Sequence, residues 1–214
     1  MERMDNFFTK RVTNYDQHML TNVPGCKEGY IEMAKSIPTA CKRLLDLGCG
    51  TGLELDEILK VLPDIHVTGI DLTQAMLDKL KEKHMDKSIQ LICGNYFDIP
   101  FGNENYDCTI SFQTLHHFSH DLKINLYKKI HQALTPNGVY IECDYMVEKQ
   151  EDEDLHYSEN NRIRKELGLL DNEFYHYDTP CTISNQVSML KSAGFIDIAN
   201  VFRVENTTIL VARK

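Results

Sequence analysis

A glycine-rich turn between a strand pattern and a helix pattern constrains this sequence more than any other feature. The turn covers residues 48–52, with Gly48, Gly50 and Gly52, and it follows directly on a short apolar run at 43–47. Glycines there allow a sharp reversal of the chain and a close approach of a ligand to the backbone. Residues 53–62 have helical spacing, so a helix N-terminus with free N–H groups follows the turn. This arrangement predicts a ligand crevice at the carboxyl end of a strand.

Strand and helix patterns alternate along most of the chain. The strand patterns fall at residues 43–47, 65–70, 88–93, 106–112 and 139–144, and the helical patterns at 30–37, 53–62, 73–84, 122–134 and 184–193. Such alternation indicates an α/β fold whose mostly parallel sheet is doubly wound and covered on both faces. Residues 195–204 and 207–212 flank Glu205 and Asn206, which predicts a closing antiparallel hairpin.

One stretch interrupts this alternation. Residues 148–159 are acidic and polar, and aromatic side chains among charges follow up to residue 180. We interpret the stretch as an insertion rather than a second domain. The sequence therefore predicts one domain over 1–214, with an N-terminal cap of about 1–40 and an inserted lid of about 147–180.

Thr51 and Glu54 have the spacing of a capping box at the start of the helix after the glycine turn.

Composition limits the partners and the compartment. The chain has 23 Lys and Arg against 32 Asp and Glu, a formal charge of −9, which opposes non-specific attraction to nucleic-acid phosphates. The seven cysteines are scattered without a C-x-x-C pair, which fits a reducing compartment and disfavours a zinc ribbon. No apolar run has the length of a membrane span or a signal peptide. We expect a cytoplasmic protein with no nucleic-acid, membrane or metal partner.

A carboxylate at the end of the next strand pattern points to a nucleoside. Asp71 lies about twenty residues after Gly50, where a carboxylate can accept hydrogen bonds from both hydroxyls of a ribose. The loop spacing is G-x-G-x-G rather than the dinucleotide spacing G-x-G-x-x-G. Asp46, which leads the loop, disfavours a pyrophosphate and suits a ligand with a cationic amino group.

These residues resemble the class I S-adenosyl-L-methionine-dependent methyltransferases, in particular the small-molecule type. The first motif of that family is similar to residues 45–52, and the resemblance continues at 69–72, 94–96, 106–118 and 134–141. It covers roughly residues 41–144. It implies a Rossmann-like fold, with a mostly parallel seven-stranded sheet and a C-terminal antiparallel hairpin, and S-adenosyl-L-methionine as the cofactor.

The resemblance also implies roles for the residues of the turn and of the next strand end. Gly48 and Gly50 would pass close to the methionine part of the cofactor, and Asp46 would support its amino group. Asp71 would hold the ribose, and Leu72 would pack on the adenine.

Five further positions follow from the same resemblance. Asn95 stands where many relatives have the Asp that meets the adenine amino group, and its side-chain oxygen can still accept a hydrogen bond. Tyr96 would stack on the base or simply pack in its loop. Phe112 and Gln113 would line the cofactor near its sulfonium. Tyr15 would close over the methionine end, or pack within an N-terminal helix.

The methyl acceptor should meet the cofactor just after the fourth strand, where His116 and His117 lie. As a general base, His117 would take the proton of a hydroxyl or amine acceptor. As a structural residue it would hold the loop by hydrogen bonding. A thiol, a carboxylate or an anionic carbon would need no base, because the enzyme mainly aligns the acceptor.

The resulting prediction is a methyltransferase that acts on a small molecule, and two alternatives stay open. A carboxy-S-adenosylmethionine synthase-like enzyme of tRNA modification shares the N-terminal aromatic segment and needs an arginine for an incoming carboxylate. Arg162, Arg164 and Arg203 are the candidates for that arginine. The second alternative is a non-catalytic protein that binds S-adenosylmethionine.

Overall fold

The computed structural model of the protein describes residues 1–170 and 173–214. The helices are α1 (Met4–Arg11), α2 (Tyr15–Thr21), α3 (Cys26–Ser36), α4 (Leu53–Val61), α5 (Gln74–Lys83), α6 (His120–Ala133), α7 (Gln150–Leu167) and α8 (Ile183–Ser192). The strands are β1 (Arg43–Leu47), β2 (His66–Asp71), β3 (Ile89–Cys93), β4 (Tyr106–Phe112), β5 (Leu134–Val147), β6 (Cys181–Thr182), β7 (Ile196–Val204) and β8 (Thr207–Arg213).

The strands form one mixed sheet in the order β3-β2-β1-β4-β5-β8-β7, with the two-residue β6 pairing β5 off this path. The first five strands run parallel, whereas β8 is antiparallel to both β5 and β7. The predicted fold class, a seven-stranded and mostly parallel sheet with a closing hairpin, is therefore confirmed.

Alternation along the strands divides the buried side chains between the two faces of the sheet. In β1, Leu44 belongs to the cluster on the face covered by α3 and α4, and Leu45 belongs to the cluster on the opposite face with Leu126 and Ile130 of α6. Successive side chains of a strand point to opposite faces, so a continuous apolar run serves both clusters. The predicted double coverage of the sheet follows from this pattern.

The strand order reverses beside β1. The chain runs outward from β1 through β2 to β3 and then returns to place β4 on the other side of β1. Ligands of open α/β sheets bind at the carboxyl ends of the strands where the order reverses in this way. The glycine turn follows β1 directly, so the fold places it at this point.

One local prediction, the capping box, differs from the structure. Helix α4 begins after Gly52, which is in a left-handed conformation and makes no side-chain cap. The predicted capping box of Thr51 and Glu54 is therefore wrong, because the Thr51 hydroxyl donates to the Asp16 carboxylate (2.6 Å) instead. The acidic stretch interpreted as an insertion contains α7, an 18-residue helix, and its role as a lid stays a prediction. Residues 171–172 of the predicted lid lie outside the described residues.

The N-terminus and the segment before β6 are hydrogen-bonded to each other. Arg3 and Tyr175 form an isolated antiparallel bridge, the Met4 N–H donates to the Phe174 carbonyl (3.1 Å) and the His176 N–H donates to the Glu2 carbonyl (2.9 Å). We call α1, α2 and residues 173–178 the roof, because they lie together over the carboxyl ends of the central strands. Within the described part of the chain, no helix combines the length and the apolar character needed to cross a membrane.

Candidate active site

The glycine turn after β1 is held open by backbone geometry. Gly48 and Gly50 have φ angles of 72° and 47°, the left-handed region that favours glycine. A Cβ at Gly48 would lie 2.5 Å from the Thr114 hydroxyl oxygen, so a side chain is excluded there. A Cβ at Gly50 would meet its first neighbours at 3.9 Å, one of them on the Tyr15 ring, which leaves space beside the turn.

Asp71 connects the glycine turn to the end of β2. Its carboxylate accepts hydrogen bonds from the Gly50 N–H (2.9 Å) and the Thr73 N–H (2.8 Å). Burial raises the pKa of Asp71 to about 6, while the same two N–H groups act in the opposite direction. The group is therefore mainly ionised at pH 7, as an acceptor of ribose hydroxyls must be.

Asp46 and Glu54 bring two carboxyl groups together under the turn. Asp46 is 1% exposed and Glu54 is 6% exposed. Both oxygens of Asp46 and Oε1 of Glu54 have no hydrogen-bond partner among the described residues. Burial, and then the charge of Glu54, raise the pKa of Asp46 well above its usual value. Burial raises the pKa of Glu54 to about 7. Sequence reasoning found Asp46 but missed this second carboxyl group, because it interpreted Glu54 as a helix cap.

Three other residues predicted around the cofactor lie at the ends of β2 and β4. Leu72 follows β2 and is half-buried against the cluster on the α6 face, whereas Phe112 is buried and stacks on Tyr30 at 4.0 Å. Gln113 has a left-handed φ of 50°, and its side chain donates to the Thr207 hydroxyl (3.3 Å). A non-glycine residue in this conformation at a strand end is a feature of functional sites.

Asn95 and Tyr96 are both engaged within the protein. The Asn95 side chain accepts from the Phe97 N–H (3.0 Å) and donates to the Asp98 carboxylate (2.7 Å). The Tyr96 ring is buried in a tilted contact with Phe97 at 5.0 Å, and its hydroxyl lies 3.2 Å from the Thr114 hydroxyl oxygen. Stacking of Tyr96 on a base and recognition of adenine by Asn95 stay predictions.

A cavity of about 640 Å³ lies under the roof, next to the glycine turn. Tyr15 lines the cavity and also approaches Gly50, so the two spaces adjoin. Its aromatic walls include Phe7, Phe8 and Tyr145, and its polar walls include His117 and Asp178. The volume, and a lining that combines aromatic rings with a few polar groups, suit a small organic molecule.

The His116 ring is hydrogen-bonded to the buried carboxylate of Asp144. Its Nδ1 lies 2.5 Å from Oδ1 of Asp144, which is 2% exposed. Burial lowers the pKa of His116, but the Asp144 carboxylate outweighs it and holds that pKa above the usual value. The same Asp144 carboxylate accepts the N–H groups of Leu115 (3.1 Å) and Tyr145 (2.9 Å). The pair therefore fixes the loop that carries His117.

Two groups of the roof determine which ring nitrogen of His117 carries the hydrogen. Its Nδ1 lies 3.2 Å from the Tyr177 carbonyl oxygen and 3.4 Å from Oδ1 of Asp178, so Nδ1 carries the hydrogen. Burial and then the charge of His116 lower the pKa of His117. The neutral ring therefore has a lone pair on Nε2, for which the described residues supply no hydrogen-bond donor.

Two cavity residues could not be found from the sequence. His176 stacks on Phe7 with ring centroids 3.5 Å apart, and burial followed by the charge of His117 lowers its pKa to about 4. Arg11 is a basic side chain of the cavity wall, and its guanidinium lies 3.5 Å from the centre of the Phe7 ring. Both come from segments without a periodic pattern, so no spacing indicated them.

Two groups of side chains have the donor atoms that a metal ion would need. His116, His117 and Asp178 form one group, and His120, Glu153 and Cys181 form the other, each with its donor atoms within 4.8 Å of one another. In the first group Nδ1 of His117 carries a hydrogen. In the second, Lys123 places its ammonium 3.3 Å from Sγ of Cys181, which opposes a cation. The absence of a metal stays a prediction.

The three arginines considered for a carboxylate already have partners. Arg162 pairs with Glu159 and Glu166 on the exposed face of α7. The other two bind groups of the protein itself: Arg164 donates to the carbonyls of Leu170 and Glu173, and Arg203 to the Thr208 hydroxyl and the Met146 carbonyl.

Comparisons with known proteins agree with this geometry. Residues 44–138 match the family model described as "Methyltransferase domain". The chain is 23% identical to the carboxy-S-adenosyl-L-methionine synthase of Nautilia profundicola, over 100% of this chain and 96% of that protein.

Among solved structures, the chain is similar to a putative O-methyltransferase from Nostoc punctiforme, with a TM-score of 0.72 at 20% identity over 100% of this chain. It is also similar to human N-acetylserotonin methyltransferase in complex with SAM, with a TM-score of 0.69 at 17% identity over 98% of this chain. The chain spans 62% and 56% of those two proteins, so they show a shared fold. The match identifies residues 44–138 as a methyltransferase domain, on a fold shared with solved methyltransferases.

Proposed function

We propose that the protein transfers a methyl group from S-adenosyl-L-methionine to a hydroxyl or amine of a small molecule held in the cavity under the roof. The observation that carries this proposal is the junction of two spaces at Tyr15. Tyr15 lies next to Gly50 of the glycine turn and also lines the cavity that contains His117.

The residues beside the glycine turn fit this cofactor. Gly48 and Gly50 leave the backbone accessible, Asp71 presents an ionised carboxylate to a ribose, and Asp46 offers unpartnered oxygens to an amino group. When bound, the cofactor supplies a methyl group already activated by its sulfonium. Leu72, which follows β2, would pack on the adenine.

His117 would accept the proton that the acceptor loses. Its neutral ring has Nδ1–H tied to the Tyr177 carbonyl, which leaves the Nε2 lone pair as the basic site. His116 and Asp144 would hold the loop, and the aromatic walls would align the acceptor and exclude water.

The roof gives the predicted cap and lid a joint role in this proposal. Residues 1–40 would supply Phe7, Phe8 and Tyr15, and the part of 147–180 that the structure describes would supply His176 and Asp178. Because the two segments are hydrogen-bonded to each other, they would cover the acceptor together.

The relatives support a second candidate function. A protein named carboxy-S-adenosyl-L-methionine synthase aligns over the full length of this chain. A reaction of that kind needs a cation for the incoming carboxylate, and Arg11 on the cavity wall would provide it, although its guanidinium also donates to the Phe7 carbonyl (3.0 Å) and lies 3.5 Å from the Glu2 carboxylate.

One experiment separates these functions. The protein is incubated with S-adenosyl-L-methionine and a small-molecule extract, and products are identified by mass spectrometry. Methyl transfer predicts S-adenosyl-L-homocysteine together with a methylated metabolite. A carboxylated cofactor without S-adenosyl-L-homocysteine would instead support the synthase activity, and an unchanged cofactor that still binds would support a non-catalytic role. Heat-denatured protein is the control for background turnover.

A further inference from the structure

A buried lysine and a buried cysteine lie in direct contact between α6 and β6. Lys123 of α6 is 2% exposed and Cys181 of β6 is 1% exposed. The Lys123 ammonium donates to the cysteine sulfur, with Nζ and Sγ 3.3 Å apart. Within the described part of the chain, Nζ has no other hydrogen-bond acceptor. The sulfur atom is therefore the partner that stabilises this buried cation.

The contact has the charges of an ion pair. Burial lowers the pKa of Lys123, but the charges of Cys181 and Asp144 outweigh it and hold that pKa above its usual value. Burial raises the pKa of Cys181, but the Lys123 ammonium outweighs it and, with hydrogen bonds from His120 and Tyr157, holds that pKa below its usual value. These neighbours favour the thiolate, which is the form that oxidants attack.

A small oxidant has a short route to this sulfur. The imidazole of His120 is hydrogen-bonded to Cys181, and the His120 side chain is 41% exposed. The residue in contact with the sulfur therefore also reaches solvent.

Oxidation would leave Cys181 facing an amine rather than a second thiol. Among the described residues, the hydrogen-bond partners of Sγ are the side chains of Lys123, Tyr157 and His120. A disulfide has no partner in contact with Sγ at this place, whereas a primary amine nitrogen is already in contact with it.

We propose that Lys123 and Cys181 are the site of a reversible oxidative cross-link, in which a single oxygen atom joins Nζ to Sγ. The oxidant is a peroxide. Nitrogen and sulfur each lose two electrons, and these four electrons reduce two molecules of hydrogen peroxide. Of the four peroxide oxygens, one forms the new N–O and O–S bonds and three leave as water. Two of the ammonium hydrogens go into that water, so the remaining N–H group is neutral.

The cross-link would connect two elements that border the acceptor cavity. Cys181 follows Asp178 of the roof by three residues, and Lys123 lies on the helix that follows the loop of His117. A bond between them ties the end of the roof segment to α6. Its formation depends neither on the cofactor nor on a methyl acceptor, so it goes beyond the proposed function.

Mass spectrometry of the whole protein and of its peptides tests the cross-link. The reduced full-length chain is treated with hydrogen peroxide, the remaining thiols are alkylated, and the chain is cleaved beside acidic residues. The expected product is a joined pair of peptides that contain Lys123 and Cys181. It should be heavier than the two free peptides together by one oxygen less two hydrogens, about 14 Da. Dithiothreitol should separate the pair again, since a thiolate attacks the sulfur of the bridge.

Matched variants identify the two partners. Lys123→Met removes the amine and should give no joined peptides. Lys128→Met alters an exposed lysine of the same helix, and Cys93→Ser alters an exposed cysteine. Both control variants should form the cross-link to the same extent as the parent.

The parent protein alone decides the outcome, so the test does not depend on the folding of a variant. Conversion of Cys181 to a sulfenic, sulfinic or sulfonic acid with Lys123 unmodified would overturn the cross-link. A joined pair about 2 Da lighter than the free peptides would be a direct N–S bond and would exclude the oxygen bridge. Unmodified Lys123 and Cys181 in a sample whose exposed Cys93 is oxidised would also refute it.

Discussion

The carboxyl groups on the two sides of the active site are in opposite electrostatic situations. Under the glycine turn, Asp46 and Glu54 are buried with unpartnered oxygens. Under the roof, Asp144 pairs with His116 (2.5 Å) and Asp178 lies 3.4 Å from Nδ1 of His117. The protein thus pairs Asp144 on the acceptor side with His116, whereas Asp46 and Glu54 on the cofactor side have oxygens without a hydrogen-bond partner among the described residues.

This difference predicts where each acid has its effect. Removing an acid that the protein itself has paired leaves a histidine unpaired, so the free energy of unfolding should decrease. Removing an acid whose oxygens have no partner relieves repulsion in the free protein. The expected loss is therefore in the affinity for a ligand rather than in the free energy of unfolding.

The largest effect is expected for Asp144→Ala, which breaks a buried pair and leaves His116 without its carboxylate. Such a loss typically costs about 3–5 kcal/mol in the free energy of unfolding. Urea denaturation measures it. The matched control is Glu159→Ala, which breaks an exposed pair with Arg162 and should cost less than about 1 kcal/mol. Equal losses in the two variants would contradict the contrast.

His117→Asn should follow in size. If His117 is the base, turnover should decrease by roughly 10²-fold or more at saturating cofactor and acceptor, since general bases typically contribute about 10²–10⁴-fold. The melting temperature and the cofactor affinity should be retained. Unchanged turnover with a lower melting temperature would leave the residue only its structural role.

Asp71→Ala should weaken cofactor binding by at least about tenfold, because hydrogen bonds to a charged group contribute about 1.5–3 kcal/mol each. The fold should remain intact in circular dichroism. Asp78→Ala, on the exposed face of the following helix, is the control and should leave the calorimetric affinity unchanged. Tighter binding of NAD than of S-adenosyl-L-methionine to the parent would refute the cofactor assignment.

The smallest effect is a difference in pH dependence. The pKa of Glu54 rises from 4.5 to about 7 on folding, so the folded state binds the proton more tightly than the unfolded state. The ligand-free protein should therefore lose stability as the pH rises from 4.5 to 7, by at most about 1.4 kcal/mol for each pH unit.

The acceptor side should show the opposite sign. The neighbouring imidazoles outweigh burial and hold the pKa of Asp178 below its usual value of 3.8, so its contribution is lost only as the pH falls below that value. Urea denaturation across this pH range distinguishes the two sides. The slope between pH 4.5 and 7 should become shallower in Glu54→Gln but not vanish, because burial also raises the pKa of Asp71 to about 6 and the pKa of Glu142 to about 7. An unchanged slope would assign it to those groups alone.

The cofactor side was largely predictable from the sequence because its parts are local. The glycine turn is continuous, and Asp71 could be placed beside it because parallel strands end at the same edge of the sheet. Glu54 was misread for a physical reason. A Glu three residues after a Thr fits a capping box. Only the structure shows that the Glu54 carboxyl group is buried together with Asp46.

The acceptor side could not be assembled in this way. Arg11, His117 and Asp178 come from three distant segments, and no periodic pattern relates them. Whether His117 is a base depends on which ring nitrogen carries the proton. That is decided by the Tyr177 carbonyl, a backbone group that no side-chain pattern can predict.

The hydrogen bonds between the N-terminus and the segment before β6 make the first residues of the chain a structural part of a distant site. Truncating residues 1–5 would remove the partners of Phe174, Tyr175 and His176 and so release Asp178, although no residue of the cavity would be deleted. An affinity tag fused to Met1 would disturb the same hydrogen bonds between the N-terminus and the segment before β6. Biochemical work on this protein should therefore begin with the tag at the opposite end, after Lys214.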